Sequence, residues 1–128
     1  MQQLVLIAAG GSLGAIARYG LSMFVYHGTS ETFPWGTLAV NLAGCFLIGS
    51  VIELFDHAIV PSGFRSLVTI GFLGAFTTFS TYSLETINLF RDGEIRLATM
   101  NILVNNIAGI LLVGVGIWAS RFLIKALS

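Results

Sequence analysis

Residues 71–85 read Gly71-Phe72-Leu73-Gly74-Ala75-Phe76-Thr77-Thr78-Phe79-Ser80-Thr81-Tyr82-Ser83-Leu84-Glu85, an apolar start followed by a hydroxyl-rich half. That half sets five serines and threonines between Thr77 and Ser83, interleaved with Phe79 and Tyr82. The run around it, from about Phe64 to Phe90, is long enough to cross a bilayer, which takes roughly 20 mostly apolar residues. Serine and threonine side chains bond their own backbone and compete with the helical ladder. β-Branched neighbours lower helix propensity further. The helix is therefore expected to be interrupted near its middle. Backbone without helical bonds survives at membrane depth only where it is buried in protein or lines a cavity. Freed carbonyls at such a break bind cations in transporters with discontinuous helices. The plainer alternative is a continuous helix that back-bonds its hydroxyls to the preceding turn and bends.

Working outward, three more runs have spanning length. The four spans are expected at about residues 4–26, 35–55, 64–90 and 95–123, within a single domain covering 1–128. Between them lie His27 to Pro34, Asp56-His57 to Pro61-Ser62-Gly63, and the tight charged turn Arg91-Asp92-Gly93-Glu94. Glycine, proline and charge at these places are turn signals. The composition agrees: 55% of residues are hydrophobic and 9% charged, with mean hydropathy +0.90. A soluble domain carries about 25% charged residues, so lipid is the expected solvent. The fold class expected is an all-α membrane protein of four transmembrane helices, the third broken. Met1-Gln2-Gln3 lacks the basic region of a secretory leader, so a cleavable signal is not expected. The formal net charge is zero, which gives no reason to expect a nucleic-acid partner. Cys45 is the single cysteine, set in an apolar run where a small packing residue suffices.

Four spans place both termini on one side of the membrane. Orientation follows the lysine and arginine bias. On the terminal side stand Arg65, Arg121 and Lys125; on the other stand Arg91, Arg96 and Arg18. With no bias, the chain is expected to insert both ways, and oppositely inserted copies can form an antiparallel homodimer. Lipid offers no hydrophobic drive for helix association, so small residues that permit close approach carry the packing. Gly10 and Gly14, Gly36 and Gly44, Gly71 and Gly74, and Gly109, Gly114 and Gly116 supply such faces.

Polar residues inside a span are functional candidates. Asn41 stands alone in the second span, with Thr37 one turn earlier on the same face. A carboxamide gives two donors without a charge, which suits an anion that must be held and released; an interhelical structural hydrogen bond is the equal alternative. Phe79 and Tyr82 are three apart and share a face if that segment is helical. Aromatic edges are electropositive, so two such edges attract a small anion weakly; ordinary aromatic core packing is the plainer alternative, and only the surrounding hydroxyls favour the anion. Asn101 and Asn105, four apart, extend a track of neutral donors, and Asn106 follows them. Arg18 either snorkels to the interface or sits at a pore mouth and concentrates anions. Glu85 opposes an anion path unless paired, so it is expected off the pore with a hydroxyl or basic partner. No histidine lies at metal-ligand spacing, no hydroxyl has a histidine base nearby in sequence, and no stretch has the P-loop pattern. Nothing in the sequence points to an enzyme.

Three motifs carry a family resemblance: Gly10-Gly11-Ser12-Leu13-Gly14-Ala15-Ile16-Ala17-Arg18-Tyr19, Trp35-Gly36-Thr37-Leu38-Ala39-Val40-Asn41-Leu42-Ala43-Gly44, and residues 71–85 quoted above. With them the chain resembles the bacterial fluoride channels of the Fluc/CrcB family over essentially its whole length. The resemblance implies a passive, fluoride-selective anion channel of the bacterial inner membrane that lowers cytoplasmic fluoride. It implies an antiparallel dual-topology homodimer with two pores, each built from both subunits. It assigns Asn41, Thr37, Phe79, Tyr82, Ser80, Ser83, Asn101 and Asn105 to the fluoride path and Arg18 to a vestibule. It assigns the backbone carbonyls of Gly74 and Thr77 to a central structural sodium ion (Na+). Tyr82 departs from the family, which usually has phenylalanine there. Two rivals share the architecture. A small drug–proton antiporter needs a carboxylate in the first span, where this chain has only Arg18 as a charge. A scaffold subunit explains the glycine faces but not the hydroxyl-rich break. For the charge count, the expected outcome is that a reporter fused to the C-terminus reads both sides of the membrane; a reporter that reads one side only sinks dual insertion.

Overall fold

In the computed structural model the described residues are 1–29, 32–58 and 60–127, the last by its backbone only. Ser30 and Glu31 of the first expected turn and Ile59 of the second lie outside them. Helix α1 spans Gln2–Tyr26 and α2 spans Trp35–His57. Helix α3 runs over 62–76 and contains a π-helical stretch, Leu67–Leu73. Helix α4 is Phe79–Arg91. Helix α5 runs over 95–127, with a second π-helical stretch at Val104–Ala108. Together α3 and α4 form the third span, so among the described residues four helical spans are long and apolar enough to cross a membrane.

The third span breaks where its hydroxyl cluster begins. Helix α3 ends at Phe76, and Thr77 (ψ 158°) and Thr78 (φ −148°, ψ 116°) are extended. Helix α4 restarts at once, because Thr78 is a good N-cap: its Oγ1 accepts from the Thr81 N–H at 3.3 Å. The break is thus two residues long. Beyond it the hydroxyls do back-bond within the helix, Ser83 to the Phe79 carbonyl and Thr86 to the Tyr82 carbonyl, each at 2.8 Å. Both sequence expectations are met in part, a break at the start of the cluster and back-bonding after it.

The glycines set which helices touch. A side chain at Gly10 or Gly14 on α1 would strike the backbone of Leu67 or Phe72 on α3. Gly71 faces back, its would-be Cβ 2.7 Å from the Ile7 carbonyl oxygen and 3.0 Å from the Gly10 Cα. The same reciprocity joins α2 to α5: Gly49 abuts the Val113 carbonyl and Gly116 abuts Phe46 and Ser50. Gly114, by contrast, faces open space. These are small-residue contacts of the kind membrane helices rely on.

The ends are tied separately. After α4, the Gly93 N–H bonds the Phe90 carbonyl at 3.2 Å and the Glu94 N–H bonds the Leu89 carbonyl at 2.9 Å. This is a Schellman cap, and it needs the left-handed residue that Gly93 supplies at φ 80°. At the terminal end, buried Glu53 of α2 meets Arg121 of α5 at 2.8 Å, with His57 at 3.5 Å. Nothing in the residue order singles out Glu53; the fold makes it a cross-helix tie. Gly10→Val should lower the detergent melting temperature by the equivalent of about 1–3 kcal/mol, the cost of overpacking, whereas Gly114→Ala should leave it unchanged. Equal losses would mean that the α1–α3 approach is not what the glycine serves.

Candidate functional site

The break is held from outside by Asn41. In an extended residue the N–H and C=O point to the same side, the geometry by which paired strand residues exchange two bonds. Thr78 presents both groups to α2. The Thr78 N–H donates to Asn41 Oδ1 at 2.9 Å, and Asn41 Nδ2 donates to the Thr78 carbonyl at 3.1 Å. The side-chain amide therefore stands in for a strand partner at one residue. It also diverts the Thr78 N–H, which would otherwise close the next helical turn on the Gly74 carbonyl. The Thr77 N–H still bonds the Leu73 carbonyl at 3.1 Å, so the ladder stops there.

From Asn41 a chain of neutral groups runs across the bundle. Its second Nδ2 bond goes to Asn105 Oδ1 at 3.1 Å. Asn105 Nδ2 donates to Asn101 Oδ1 at 2.8 Å and to the Asn101 carbonyl at 3.0 Å. Asn101, 1% exposed, donates to Thr86 Oγ1 at 2.8 Å. Thr86 then donates to the Tyr82 carbonyl. All donors point the same way, from α2 through α5 to α4. The π-helical stretch of α5 carries Asn105 and its neighbour Asn106, whose Nδ2 donates to the Tyr82 hydroxyl at 3.1 Å. Such π stretches are frequent at functional sites.

Beside this chain of groups lies a cavity of about 380 Å³ bordered by Asn41, Gly74, Thr77, Thr78, Phe79 and Tyr82, with Asn105 and Asn106 also on its wall. No charged side chain lines it among the described residues. The Phe79 and Tyr82 rings lie 5.5 Å apart, tilted by 55°. Phe79 is 77% exposed in the single chain and Tyr82 only 8%.

Other sequence-indicated residues sit apart from this wall. Thr37 is buried and donates to Glu85 Oε1 at 2.8 Å. Tyr26 donates to the same oxygen at 3.4 Å, while Glu85 Oε2 is buried without a partner among the described residues. Glu85 thus has the hydroxyl partners expected of it. Ser80 is exposed, its Oγ 3.5 Å from Thr78 Oγ1. Ser83 spends its proton on the Phe79 carbonyl. Arg18 is half-buried on α1 and joins none of these bonds. Thr86 has no linear signal that singles it out, and Asn106, a polar residue of the fourth span, has none that names its partner. Asn106 meets a residue 24 positions away, and only the packing of α5 on α4 pairs them.

Chemically, the wall carries carboxamides, a phenol, aromatic rings and backbone carbonyls, all neutral. Such a set can strip water from a small ion without trapping it. Asn41→Leu leaves the Thr78 N–H unpaired and removes the side-chain bond to its carbonyl, at about 1–3 kcal/mol for the orphaned N–H. The expected outcome is a large loss of thermal stability in detergent, with faster amide exchange at Thr78. Unchanged exchange at Thr78 would show that the break does not depend on this amide.

Residues 5–117 match the family described as CrcB-like protein, Camphor Resistance (CrcB). A protein of Salinibacter ruber named fluoride-specific ion channel FluC is 46% identical over 124 residues, covering 97% of this chain and 93% of its own. One of Citrifermentans bemidjiense with the same name is 48% identical over 124 residues, covering 96% of this chain and all of its own. A third, of Magnetococcus marinus, again so named, is 45% identical over 122 residues, covering 94% and 99%.

Proposed function

The chain belongs to the CrcB-like family of ion channels, and from that premise we propose that it is a fluoride-selective passive channel that exports cytoplasmic fluoride. It is a multi-pass protein of the bacterial inner membrane and not an enzyme. The observation that carries the reading is the uncharged cavity at the broken third span, with the carboxamides of Asn41, Asn105 and Asn106 and the Tyr82 phenol on its wall. A cation would find no carboxylate on that wall, and an anion meets donors it can leave again.

Fluoride passes Asn41, Phe79, Tyr82 and Asn105 at the cavity wall, while Thr37, Ser80, Ser83 and Asn101 lie beside that path, Thr37 holding Glu85 away from it. Asn41 Nδ2 keeps its bond to the Thr78 carbonyl, because that bond holds the break. The ion therefore replaces Asn105 Oδ1, and rotation of the Asn105 amide turns the same position from acceptor to donor. The edges of Phe79 and Tyr82 meet the ion from the side. Arg18 raises the anion concentration at the mouth.

The working unit is an antiparallel homodimer with two pores. Two observations support it. The charge count gives no preferred orientation, and the spanning windows of the single chain are only 11% to 33% buried, so each helix has a face left for lipid or a second copy. Phe79, exposed at the cavity's side, is then covered by the other copy. The carbonyls of Gly74 and Thr77 fit a structural sodium ion: they are hard, neutral oxygens, and the Thr78 N–H that would have satisfied Gly74 is taken by Asn41. When bound, that ion supplies positive charge that links the two copies at their breaks.

The physiology follows from acid–base chemistry. Hydrogen fluoride crosses membranes neutral and dissociates inside, trapping the ion. A passive channel lets the membrane potential drive it out, at about 2.3 kcal/mol per charge per 100 mV. Liposomes carrying the purified protein should release fluoride quickly on adding a potassium ionophore and should retain chloride. Fluoride that stays trapped by folded protein would end the channel reading and favour a scaffold or antiporter.

A further inference from the structure

Tyr82 carries a hydroxyl that an aromatic edge alone does not require. That hydroxyl accepts a hydrogen bond from Asn106 Nδ2 at 3.1 Å. Asn106 is itself steadied, since Nδ2 also donates to the Ile102 carbonyl at 2.8 Å one turn back. Both carboxamide protons are thus spent, one on its own helix and one on the phenol. The phenol's own proton has no acceptor in hydrogen-bond reach among the described residues. Both residues border the cavity beside Asn41. The backbone of Tyr82 is fixed too, its carbonyl taking the Thr86 hydroxyl.

We propose that Asn106 is a positioning residue which, by donating to the Tyr82 hydroxyl, fixes that ring and commits its phenolic proton to a small, strongly accepting anion in the cavity. A hydroxyl holding one accepted bond has its remaining proton free for one partner. The lone pairs facing Asn106 are occupied, so the oxygen does not repel the anion from that side. Accepting a bond also polarises the O–H, which strengthens what it donates. A fluoride ion, compact and a strong acceptor, gains more from such a donor than chloride does. The pair is therefore a specificity device, and it rests on the channel reading above.

The test is fluoride and chloride efflux from liposomes containing wild type, Tyr82→Phe, Asn106→Leu and the double variant. Tyr82→Phe should slow fluoride release roughly tenfold, the scale of one hydrogen bond to a charged group, and should narrow the preference over chloride. Asn106→Leu should slow it by a similar factor. The double variant should be no slower than Tyr82→Phe alone, because Asn106 acts through the hydroxyl that variant lacks. Factors that multiply in the double variant would overturn the positioning role. A Tyr82→Phe channel as fast and as selective as wild type would overturn the donor itself, and this arm decides alone if Asn106→Leu does not assemble. Wild type that passes no fluoride would instead bring down the channel reading, and this proposal with it.

Discussion

The pair of hydrogen bonds between the Asn41 amide and the Thr78 peptide is the constraint on which the rest depends. A transmembrane helix cannot stop in hydrocarbon, because each unsatisfied peptide group costs several kcal/mol. This chain stops one by supplying, from a neighbouring helix, a side chain with the peptide's own donor and acceptor. Serine or threonine in place of Asn41 has a single oxygen and cannot span both groups. Aspartate has no donor for the carbonyl. Asparagine fits with no net charge, so the break is held without creating a buried ion.

That neutrality extends outward. Asn41 is bonded to Asn105, Asn105 to Asn101, and Asn101 to Thr86, so the polar groups at membrane depth satisfy one another. Such a network holds its donors in place, and a fully satisfied one specifies a single arrangement. It also keeps strong charges away from the cavity. The carboxylates sit elsewhere, Glu85 against the hydroxyls of Thr37 and Tyr26 and Glu53 against Arg121. The separation is what an anion path requires: attraction by many weak donors, with no fixed charge to repel or to bind permanently.

Packing is arranged to permit this. The reciprocal contacts of Gly10 with Gly71, and of Gly49 and Gly116 with the opposing backbones, bring α1 onto α3 and α2 onto α5. Close approach of α2 to the third span puts Asn41 within reach of Thr78, and a Cβ at Gly44, one turn on from Asn41, would meet the Thr77 side chain. The Glu53–Arg121 pair pins the far ends of α2 and α5, so the amides of Asn41 and Asn105 keep their register.

Much of this was legible in residue order, and the reason is the solvent. Lipid imposes a length and a hydropathy on every span, so four spans and three turns can be read from composition alone. The hydroxyl run from Thr77 predicted an interrupted helix because its side chains compete locally with the ladder. Fluoride specificity was suggested by resemblance, through the motifs around Asn41 and Phe79. What the sequence could not settle was partnership. Asn41 read equally as pore donor or structural bond until the fold placed Thr78 against it. Asn106 was one polar residue among several in its span until α5 lay on α4 and brought it to Tyr82, and Glu53 had no visible partner until Arg121 met it. Local patterns follow from the chain's own chemistry with its solvent, whereas hydrogen-bond partners distant in sequence are chosen only when packed helices decide which polar groups meet.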